Sequence, residues 1–422
     1  MNFVECTQEE FTTFADQHPL SNLWQTKNMA QMREKRGFET AYVGLKENDK
    51  LVAATMLSSI PTFLGYKTYY VLRGPLIDFD DQALFKEFHQ GLVEYLKQHK
   101  CLYFHMDPYI PYQEHNLDGD VVEDGFDHKN VVSMLLELGY THEGFTTGIN
   151  DTREPRWIYT IPFHDYTSDE LLKTMERKTI RSIKKALKYN VQVRELEENE
   201  LMIFDEVIQN TGDRRGFSWR DHTYTQRLYD AYAKDGYVKF LVATLDLEDY
   251  KKDLMHDLQD HEKVIQTSQQ RLEKQESPKI RRKMDLSIEQ VSQIEKKLKE
   301  ADEIIARDGQ VLTLASGIFF TYGREVLCLM SGVYEQYMHF AAPYAMHWKM
   351  IQYGIEHGME RYNLYGISGI FDKSAPDYGV YLFKKGFQGE VIELIGDFEY
   401  VVSPGIYKLY QSLRQIKHKI KG

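Results

Sequence analysis

The feature that most constrains this sequence is a long, strongly charged segment without glycine, from about Asp246 to Asp308. By count, 29 of its 63 residues are charged, and Tyr250 is its only aromatic residue. An apolar seam with 3–4 spacing runs along it, and Glu276-Ser277-Pro278 interrupts the seam near the middle. The pattern predicts an antiparallel pair of helices of roughly 28 residues each, about 40 Å long.

The basic residues at the turn of this arm leave two functions open. Arg281, Arg282 and Lys283 follow the proline at the point where the chain reverses. Charged helices of this kind are commonly solvated struts, but a basic tip also suits contact with the phosphates of RNA. Composition alone does not choose between a strut and an RNA-contacting arm.

The length and composition of the whole chain predict two folded domains in addition to the arm. Its 422 residues exceed one ordinary domain, and 42% hydrophobic with 13% aromatic residues suffice for packed cores. The net charge of -12 argues against a general nucleic-acid coat protein, although a local basic patch is compatible with RNA binding. Three widely spaced cysteines fit neither a disulfide framework nor a zinc-binding pattern.

The sequence predicts a soluble, cytoplasmic protein that needs no cofactor. Its start, MNFVECTQEEFTTF, lacks the basic region and apolar core of a signal peptide. No stretch approaches the roughly 18 apolar residues that a membrane span needs. The chain also has no Walker loop and no HExxH, GxSxG or GxGxxG motif, so neither nucleotide hydrolysis nor metal chemistry is indicated.

Apart from the arm, the two halves of the chain repeat one order of elements. In the first half, 41–45 and 51–57 flank a polar turn at Asn48-Asp49 and predict a β-hairpin. In the second half, 240–245 and 312–318 are the equivalent strands, and the arm takes the place of the turn. A helix, a strand, a helix with a glycine stop and a further strand follow in both halves.

This order of elements resembles that of acyltransferases of the acetyltransferase (GNAT) type. We therefore predict a mixed α/β (α+β) fold with two tandem GNAT-like domains and an antiparallel coiled-coil arm inserted in the second. The predicted first domain comprises residues 1–150 plus 395–422, the second comprises 151–245 plus 310–394, and the arm comprises 246–309.

One motif of that acyltransferase type is missing. A domain that uses acetyl-CoA needs a (Q/R)xxGx(G/A) loop, whose amides hold the pyrophosphate at a helix N-terminus. Neither half contains it, and the nearest match, Gln209-Asn-Thr-Gly-Asp-Arg214, ends wrongly. Acetyl-CoA is therefore disfavoured as the donor.

Several family-specific motifs stand in order along the chain. They are Arg73-Gly-Pro75, Asp107-Pro108-Tyr109, Phe340-Ala-Ala-Pro-Tyr-Ala-Met-His-Trp348, Tyr362-Asn-Leu-Tyr-Gly-Ile-Ser-Gly369 and Asp377-Tyr-Gly-Val-Tyr-Leu-Phe-Lys-Lys-Gly-Phe387. Together they resemble the Fem family of peptidoglycan bridge-forming aminoacyltransferases. The resemblance covers essentially the whole chain, including the arm, and is closest to the members that lengthen a bridge.

The resemblance implies an enzyme that moves Gly, Ala or Ser from aminoacyl-tRNA to a free amine of a peptidoglycan precursor. The acceptor is a lipid-linked (lipid II-type) or nucleotide-linked muropeptide, and the amine belongs to its stem peptide or growing bridge. Two rival functions stay open, an acyl-CoA-dependent GNAT N-acyltransferase and a non-catalytic adaptor of the same fold. The amino acid, the bridge position and the oligomeric state are not determined by the sequence.

Two neighbouring residues match family positions at the reacting centre. Lys384 matches the position proposed to stabilise the negative charge that develops when an amine attacks the ester carbonyl. Phe383 matches a position that lines the acceptor path. The first half carries Glu137 at the place of Lys384, so the fold does not require a cation there. The alternative is a solvated lysine at a helix end, and Lys385 is a competing candidate.

Asp107 matches an acidic family position at the cleft and is the candidate general base. Its alternative role is to cap the turn at Pro108. Some family members carry aromatic hydroxyls on the strand that here holds Cys328 and Met330, and this departure removes one route for the proton.

Arg33 and Arg214 match the positions that contact the acceptor's diphosphate, for which arginine is a natural ligand. The resemblance is loose around the first of them, so Lys35 or Arg36 are alternatives. Each arginine also fits an ordinary surface charge.

A short segment, MERKTIRSIKKALKY, holds six basic residues and one acid in a chain of net charge -12. Such a cluster predicts a helix that contacts the donor RNA, with a solvated helix face as the alternative. The predicted tRNA contacts are Arg177, Lys178, Arg181, Lys184 and Lys185, together with Arg281, Arg282 and Lys283 of the arm.

A C-terminal helix is predicted to begin at Ser403-Pro404. Its apolar stripe comprises Ile406, Leu409, Leu413 and Ile416, and five basic residues lie beside it. Packing of the stripe against the first domain is favoured, with a basic outer face. Peripheral contact with the anionic inner surface of the membrane is the alternative.

Overall fold

The computed structural model describes residues 1–150, 152–216 and 220–421, with side chains described as far as residue 415. The strands are β1 (Asn2–Glu5), β2 (Glu39–Glu47), β3 (Lys50–Phe63), β4 (Tyr66–Val71), β5 (Cys101–Met106), β6 (Pro111–Glu114), β7 (Thr141–His142), β8 (Trp157–Pro162), β9 (Gln192–Glu195), β10 (Val238–Asp246), β11 (Val311–Tyr322), β12 (Glu325–Val333), β13 (Arg361–Ile367), β14 (Glu390–Leu394) and β15 (Phe398–Val401). The helices are α1 (Gln8–Gln17), α2 (Lys27–Glu34), α3 (Gln82–Gln98), α4 (Lys129–Glu137), α5 (Ser168–Thr174), α6 (Arg177–Lys188), α7 (Leu201–Arg215), α8 (His222–Tyr232), α9 (Leu247–Lys274), α10 (Pro278–Asp308), α11 (Ala342–Glu356), α12 (Tyr378–Lys385) and α13 (Pro404–Lys421).

Two sheets with matching strand orders form the body of the molecule. The first sheet has the order β1-β2-β3-β4-β5-β15-β7, and the second has β9-β10-β11-β12-β13-β8-β14-β6. The predicted hairpins are present as the antiparallel pairs β2–β3 and β10–β11. In both units a helix, α3 or α11, leads to a strand parallel to the hairpin's neighbour. The predicted mixed α/β fold with two repeated units is confirmed.

Each sheet also contains a strand that is remote in sequence from its neighbours in the sheet. β15 follows the second unit in sequence but pairs with β5 and β7 of the first sheet, with Phe398 opposite Met106. β8 follows the first unit but pairs with β13 and β14 of the second sheet, with Trp157 opposite Ile367. β6 lies within the segment 1–150 yet also joins the second sheet, through β14. Main-chain hydrogen bonds therefore cross between the two units.

The two helices expected from the charged segment are α9 and α10. The side chain of Asp246 accepts hydrogen bonds from the first backbone amides of α9, and Pro278 stands at the first turn of α10. Asp246 also pairs with Val311 across β10 and β11, where the arm leaves the sheet. At the equivalent place between β2 and β3, the first unit has only the turn Asn48-Asp49, both residues with positive φ.

The base of the arm is part of the second unit's core. Tyr250 packs edge-on against the rings of Tyr189 and Phe340, with centroid distances of 5.1 and 5.7 Å. The apolar residues buried at the base of the arm are Leu247, Tyr250, Leu254, Ile294, Ala301 and Ile304. Because each buried large apolar side chain stabilises by about 1.5–3 kcal/mol, the arm's base is held firmly against the sheet.

The parallel strand pair differs between the two units. β4 and β5 stay paired to their ends, where Val71 faces Met106. β12 and β13 pair only from Glu325 to Leu327, and then separate. The register of β12 against β11 shifts between Cys328 and Met330, and that of β13 against β8 shifts after Asn363. Bulges bend strands and end their pairing, which explains the opening of this pair.

The C-terminal helix α13 packs on the first sheet through tyrosines. Tyr407 contacts the ring of Tyr103 at 5.3 Å, and Tyr410 contacts Phe63 at 5.6 Å. Leu409 and Leu413 of the predicted apolar stripe are exposed, so that part of the prediction is wrong. The face of α13 that contacts the sheet is therefore the one that carries Tyr407 and Tyr410. The predicted stripe residue Ile416 lies outside the side chains described.

Candidate active site

Lys384, near the end of α12, lies where β12 and β13 separate. Its side chain is 8% exposed, and Nζ donates a hydrogen bond of 2.5 Å to the carbonyl oxygen of Gly366 on β13. Electrostatic interactions link it to Cys328 on β12 and to His347 on α11. A solvated lysine at a helix end, the alternative that the sequence left open, does not agree with this burial.

Burial shifts the pKa values of Lys384, His347 and Cys328, and the charge of Asp377 also acts on Lys384. Burial lowers the pKa of Lys384 to about 8, so the amine is protonated at neutral pH. Burial lowers the pKa of His347 to about 3 and raises the pKa of Cys328 to about 12, so both are uncharged there. His347 Nδ1 lies 2.5 Å from the hydroxyl of Tyr362. A fixed charge in such low-dielectric surroundings is well suited to stabilise an oxyanion.

The two residues that flank Lys384 on α12 have separate surroundings. Phe383 is half-buried, with its ring 5.0 Å from that of Tyr344 and 5.3 Å from that of His347. It therefore packs beside His347, which also neighbours Lys384. Lys385 Nζ is 2.5 Å from the carboxylate of Asp118, in an exposed ion pair. This pairing sets Lys385 apart from the buried lysine.

Asp107, at the end of β5, is buried against Arg73. One carboxylate oxygen accepts the backbone N–H of Arg73 at 2.7 Å, and the other lies 3.6 Å from its guanidinium. Arg73 also donates to the carbonyl oxygen of Pro155 and lies over the rings of Trp24 and Tyr109. Burial raises the pKa of Asp107 to about 7. The carboxylate of Asp107 therefore contacts Arg73. The alternative left open by the sequence was that Asp107 caps the turn at Pro108.

Arg33 borders the same polar cluster as Asp107. Its guanidinium lies 4.9 Å from the ring centre of Phe38 and 5.6 Å from that of Tyr70. Burial lowers the pKa of Arg33, while the charges of Glu154 and Asp107 act in the opposite direction. Arg33 lies on α2, the second helix rather than the first, and its charge interacts with that of the candidate base Asp107.

Strand β13 contacts both this polar cluster and Lys384. Tyr365 has a positive φ of 65°, its ring stacks on Trp24 at 6.0 Å, and its hydroxyl donates to Glu154. The next residue, Gly366, presents its carbonyl oxygen to Lys384. The two clusters are therefore one residue apart on a single strand.

Some residues of the polar cluster were not assigned from the sequence. Arg73 and Tyr365 were noticed only as members of family motifs, without a role. Trp24 and Glu154 belong to no motif, and they reach the cluster from remote parts of the chain. Burial and ion pairing, rather than any local pattern, identify them.

Arg214 lies apart from these contacts. It stands at the end of α7, before the helix cap Gly216, which has a φ of 76°. Its Nε lies 3.5 Å from the carboxylate of Glu335. The described contacts therefore put Arg33 and Arg214 in different surroundings.

The basic helix α6 runs from the Lys384 helix to the arm. At its start, the backbone N–H of Glu176 donates to the carbonyl oxygen of Gly386, at the end of α12. At its other end, Lys188 pairs with Asp257 of α9 at 2.8 Å. The exposed basic residues of this helix are Arg177, Lys178, Arg181, Lys184, Lys185 and Lys188. They form a continuous basic face about 18 Å long.

A cavity of about 300 Å³ lies between the end of α6 and the base of the arm. Lys184, Lys185 and Lys188 line one side, and Lys297 of α10 lines the other. The ring of Tyr189 lies beneath two of these lysines, with Lys185 at 5.5 Å and Lys297 at 5.6 Å. Asp253 and Asp257 of α9 also line the cavity, so basic and acidic groups meet where α6 joins the arm.

The arm's tip is far from this surface. Arg281 pairs with Glu276 at 2.6 Å across the turn, and both side chains are exposed. A helix the length of α9 spans about 40 Å, so the tip residues Arg281, Arg282 and Lys283 form a second, separate basic group.

Comparison with known proteins agrees with this arrangement along the whole chain. A model of the FemAB family matches residues 6–415. The aminoacyltransferase FemA of Staphylococcus aureus (strain N315) is 35% identical over 427 residues, which cover 100% of both chains. FemA of strain bovine RF122 / ET3-1 is also 35% identical, over 423 residues and 100% of both chains. The chain belongs to the FemAB family.

A solved FemAB-type structure agrees in fold. The crystal structure of FemX superposes with a TM-score of 0.80 at 23% identity, covering 97% of this chain and 99% of that chain. The resemblance seen in the sequence motifs is thereby confirmed. The chain is an aminoacyltransferase of the family that builds peptidoglycan cross-bridges.

In this FemAB-family chain, the segment at the position of a CoA-binding loop differs from such a loop in sequence and conformation. In an acetyl-CoA-dependent domain, that loop precedes the helix equivalent to α11 and uses glycine amides. Here the segment Glu335–Phe340 forms a 3₁₀ helix without glycine, and Tyr337 and Phe340 are buried.

One group among the described residues has the geometry of potential metal ligands. His105, Glu143 and Glu399 offer ligand atoms within 4.8 Å of one another. Arg153 already pairs with Glu143, and the hydroxyl of Tyr407 donates to Glu399 at 2.7 Å. The cation of Arg153 and the tyrosine hydroxyl thus satisfy these carboxylates. Among the described helices, none is long and apolar enough to cross a lipid bilayer.

Proposed function

We propose that this aminoacyltransferase takes Gly, Ala or Ser from an aminoacyl-tRNA and joins it to an amine of a peptidoglycan precursor. The acceptor is a lipid-linked muropeptide of the lipid II type, and the amine belongs to its stem peptide or growing bridge. The observation that carries the proposal is the buried cation Lys384 at the opened strand pair, reached by the basic face of α6.

In the proposed reaction, the acceptor ammonium first loses a proton and the resulting amine attacks the ester carbon. The C–N bond forms, the C–O bond to the ribose breaks, and the second proton of the nitrogen passes to the ribose oxygen. Negative charge develops on the carbonyl oxygen during the attack. Lys384 stabilises this charge, an effect that in comparable sites contributes about 10²–10³ in rate. Phe383 lines the path of the acceptor.

Asp107 is the proposed acceptor of the first proton. Its pKa of about 7 suits proton transfer near neutral pH, because the carboxylate is then partly ionised. Arg33 and Arg214 are the proposed ligands of the acceptor's diphosphate. For Arg214 this role requires exchange of its contact with Glu335, which is long at 3.5 Å and therefore weak.

The proposed path of the donor RNA follows α6, through Arg177, Lys178, Arg181, Lys184 and Lys185. The start of this helix is hydrogen-bonded to the end of α12, so RNA along it ends near Lys384. Arg281, Arg282 and Lys283 at the arm's tip are proposed as a remote second contact. Such a distance suits a large, folded RNA rather than a small acyl carrier.

We further propose the domain division predicted from the sequence, except that β6 belongs to the second domain. A cytoplasmic location with peripheral contact at the inner membrane surface is also proposed. Its support is the exposed pair Leu409 and Leu413 beside the basic residues Lys408 and Arg414 on α13.

The test is transfer from radiolabelled glycyl-, alanyl- and seryl-tRNA to lipid-linked muropeptides, both unbranched and already carrying bridge residues. We expect transfer from one of these donors, and the acceptor that reacts identifies the bridge position. CoA binding is measured in parallel with the same preparation. Absence of transfer from all three tRNAs, together with CoA binding, would replace the proposal by an acyl-CoA-dependent reaction.

A further inference from the structure

Asp377 stands directly before α12, seven residues before Lys384. Seven residues are close to two helical turns, so both residues lie on one face of the helix. The lysine side chain leans toward the helix start, as helical side chains do. Electrostatic interaction between the two groups favours the charged form of Lys384. The motif that contains both residues has so far received a role only at Phe383 and Lys384.

Both side chains are anchored to the same short segment at the end of β13. Lys384 Nζ donates to the carbonyl oxygen of Gly366. One carboxylate oxygen of Asp377, Oδ2, accepts the backbone N–H of Ser368 at 2.9 Å. These anchor points are two residues apart, which limits their separation to about 7 Å of chain.

The second oxygen of Asp377 has no partner among the described residues. Oδ1 is buried and makes no hydrogen bond. Leaving a buried charged acceptor unsatisfied costs about 1–3 kcal/mol or more, so native structures seldom keep one without a reason. A carboxylate oxygen in this position requires a donor, and a cationic donor satisfies it best.

The aminoacyl donor carries such a cation at the required distance. In an aminoacyl ester, the α-ammonium nitrogen lies about 3 Å from the carbonyl oxygen, because both are attached to adjacent carbons. The side chains of Lys384 and Asp377 are anchored to the same segment at the end of β13, a few ångströms apart. An ester whose carbonyl oxygen contacts Lys384 therefore has its α-ammonium within reach of the Asp377 carboxylate.

We propose that Asp377 binds the α-ammonium of the aminoacyl donor through Oδ1 and so orients the ester carbonyl toward Lys384. This inference rests on the proposed function, since it takes an aminoacyl ester as the donor. It makes Asp377 a residue that selects donors with a free α-amine over hydroxyacyl or N-acylated esters.

The acceptor amine is a poorer occupant of this site. It must lose a proton before it can attack, and a carboxylate that binds its ammonium form raises the pKa of that amine. The donor's α-amine does not react, so its positive charge is retained through the reaction. Charge retention favours the donor as the ligand of Asp377.

The experiment compares two donors that differ only at the α-substituent. One is the aminoacyl-tRNA that the wild-type protein uses, and the other is the same material deaminated with nitrous acid to the hydroxyacyl-tRNA. We expect the wild-type protein to favour the aminoacyl donor in kcat/KM by about tenfold or more, the scale of a charged hydrogen bond. In Asp377→Asn, we expect the ratio to approach one because only the aminoacyl reaction slows.

Two further variants keep the test informative. Asp377→Glu retains the charge, and we expect it to keep a preference for the aminoacyl donor even if both rates fall. Asp372→Asn is the matched control, because Asp372 lies in the same loop but is exposed and its carboxylate accepts hydrogen bonds from the neighbouring Ser374. Its donor preference is expected to equal that of the wild type.

Two results would overturn the inference. Equal slowing of both donors by Asp377→Asn would make the carboxylate a support for Lys384 rather than a ligand of the ammonium. A wild-type protein that uses both donors equally well would remove the ammonium site altogether. Failure of the wild type to use any aminoacyl-tRNA is a different outcome, because it removes the proposed function on which the inference rests.

Discussion

The two units of this chain share one strand order but differ at their parallel strand pairs. In the first unit, β4 and β5 remain paired to their ends, and the equivalent helix α4 carries the exposed Glu137. In the second unit, β12 and β13 part after Leu327, and α12 inserts the buried Lys384 at the opening. The same strand order therefore produces one unit whose parallel strands stay paired and one whose parallel strands separate. We call these the closed unit and the open unit.

The two units also differ in how the charged residues at the ends of their parallel strand pairs are partnered. The closed pair of the first unit ends at a buried ion pair, Arg73 with Asp107, whose charges largely offset each other. The open pair of the second unit ends at a lysine that has a backbone carbonyl as its hydrogen-bond acceptor. Among the described residues Lys384 has no direct ion-pair partner, and such a cation is available to a developing negative charge, whereas one held in an ion pair is not.

The largest effect is expected from Asp107→Asn, which tests the closed unit. Removing one partner of a buried ion pair costs about 3–5 kcal/mol of unfolding free energy, because the other charge is left buried. As the proposed base, Asp107 is also expected to contribute at least about 10²-fold to kcat. Denaturant unfolding and kcat per folded molecule give the two effects separately. A loss of stability with unchanged kcat would restrict Asp107 to its ion pair.

Lys384→Met tests the open unit. We expect kcat to fall by about 10²–10³-fold with little change in acceptor binding, because the methionine keeps the apolar bulk and removes only the charge. The matched control is Glu137→Met, the same substitution at the equivalent place of the closed unit. Transfer assays with both variants measure the contrast. Comparable losses in the two variants would contradict the assignment of the chemistry to the second unit.

The pH dependence of kcat sharpens the same contrast. Burial lowers the pKa of Lys384 to about 8, so the cation is complete below that pH and is lost above it. We therefore expect kcat to fall about tenfold per pH unit above pH 8. In Lys384→Arg, whose guanidinium stays protonated, this falling limb is expected to disappear even if the rate is lower. If kcat falls above pH 8 in Lys384→Arg as it does in the wild type, a group other than Lys384 must cause the fall.

The smallest effect is expected at the arm, which replaces the two-residue turn of the first unit. Reversing the charges of Arg281, Arg282 and Lys283 to glutamate is expected to raise KM for the donor tRNA about two- to fivefold at low salt. The effect is expected to vanish at high salt, as for other exposed phosphate contacts. The same reversal at Arg177, Lys178 and Arg181 is the reference, with a larger expected effect. Equal increases in KM for the two sets of charge reversals would mean that the arm contributes as much to RNA binding as α6 does.

Local patterns in the sequence predicted much of the fold. The charged segment without glycine, broken at Pro278, gave the two arm helices to within a few residues of α9 and α10. The turn Asn48-Asp49 between alternating strands identified the first hairpin. These features depend on periodicity and turn chemistry, which neighbouring residues determine among themselves.

Other features did not follow from local patterns. The stripe of Leu409 and Leu413 was expected to be buried, but Tyr407 and Tyr410 cover the sheet instead, because helix rotation is decided by the partner surface. The pairing of β6 with the second sheet was not visible either, because β6 lies within the segment 1–150 that was assigned to the first domain.

The sequence by itself determined the order of elements, the arm, the family and the identities of Lys384 and Asp107 as candidates. Only the tertiary structure decided the burial, the partners and the pKa values of these side chains. It buried Lys384 beside the opened strands, joined Asp107 to Arg73 and left one oxygen of Asp377 without a partner. Burial and charge pairing depend on groups brought together from distant segments, and these set the electrostatics of a site.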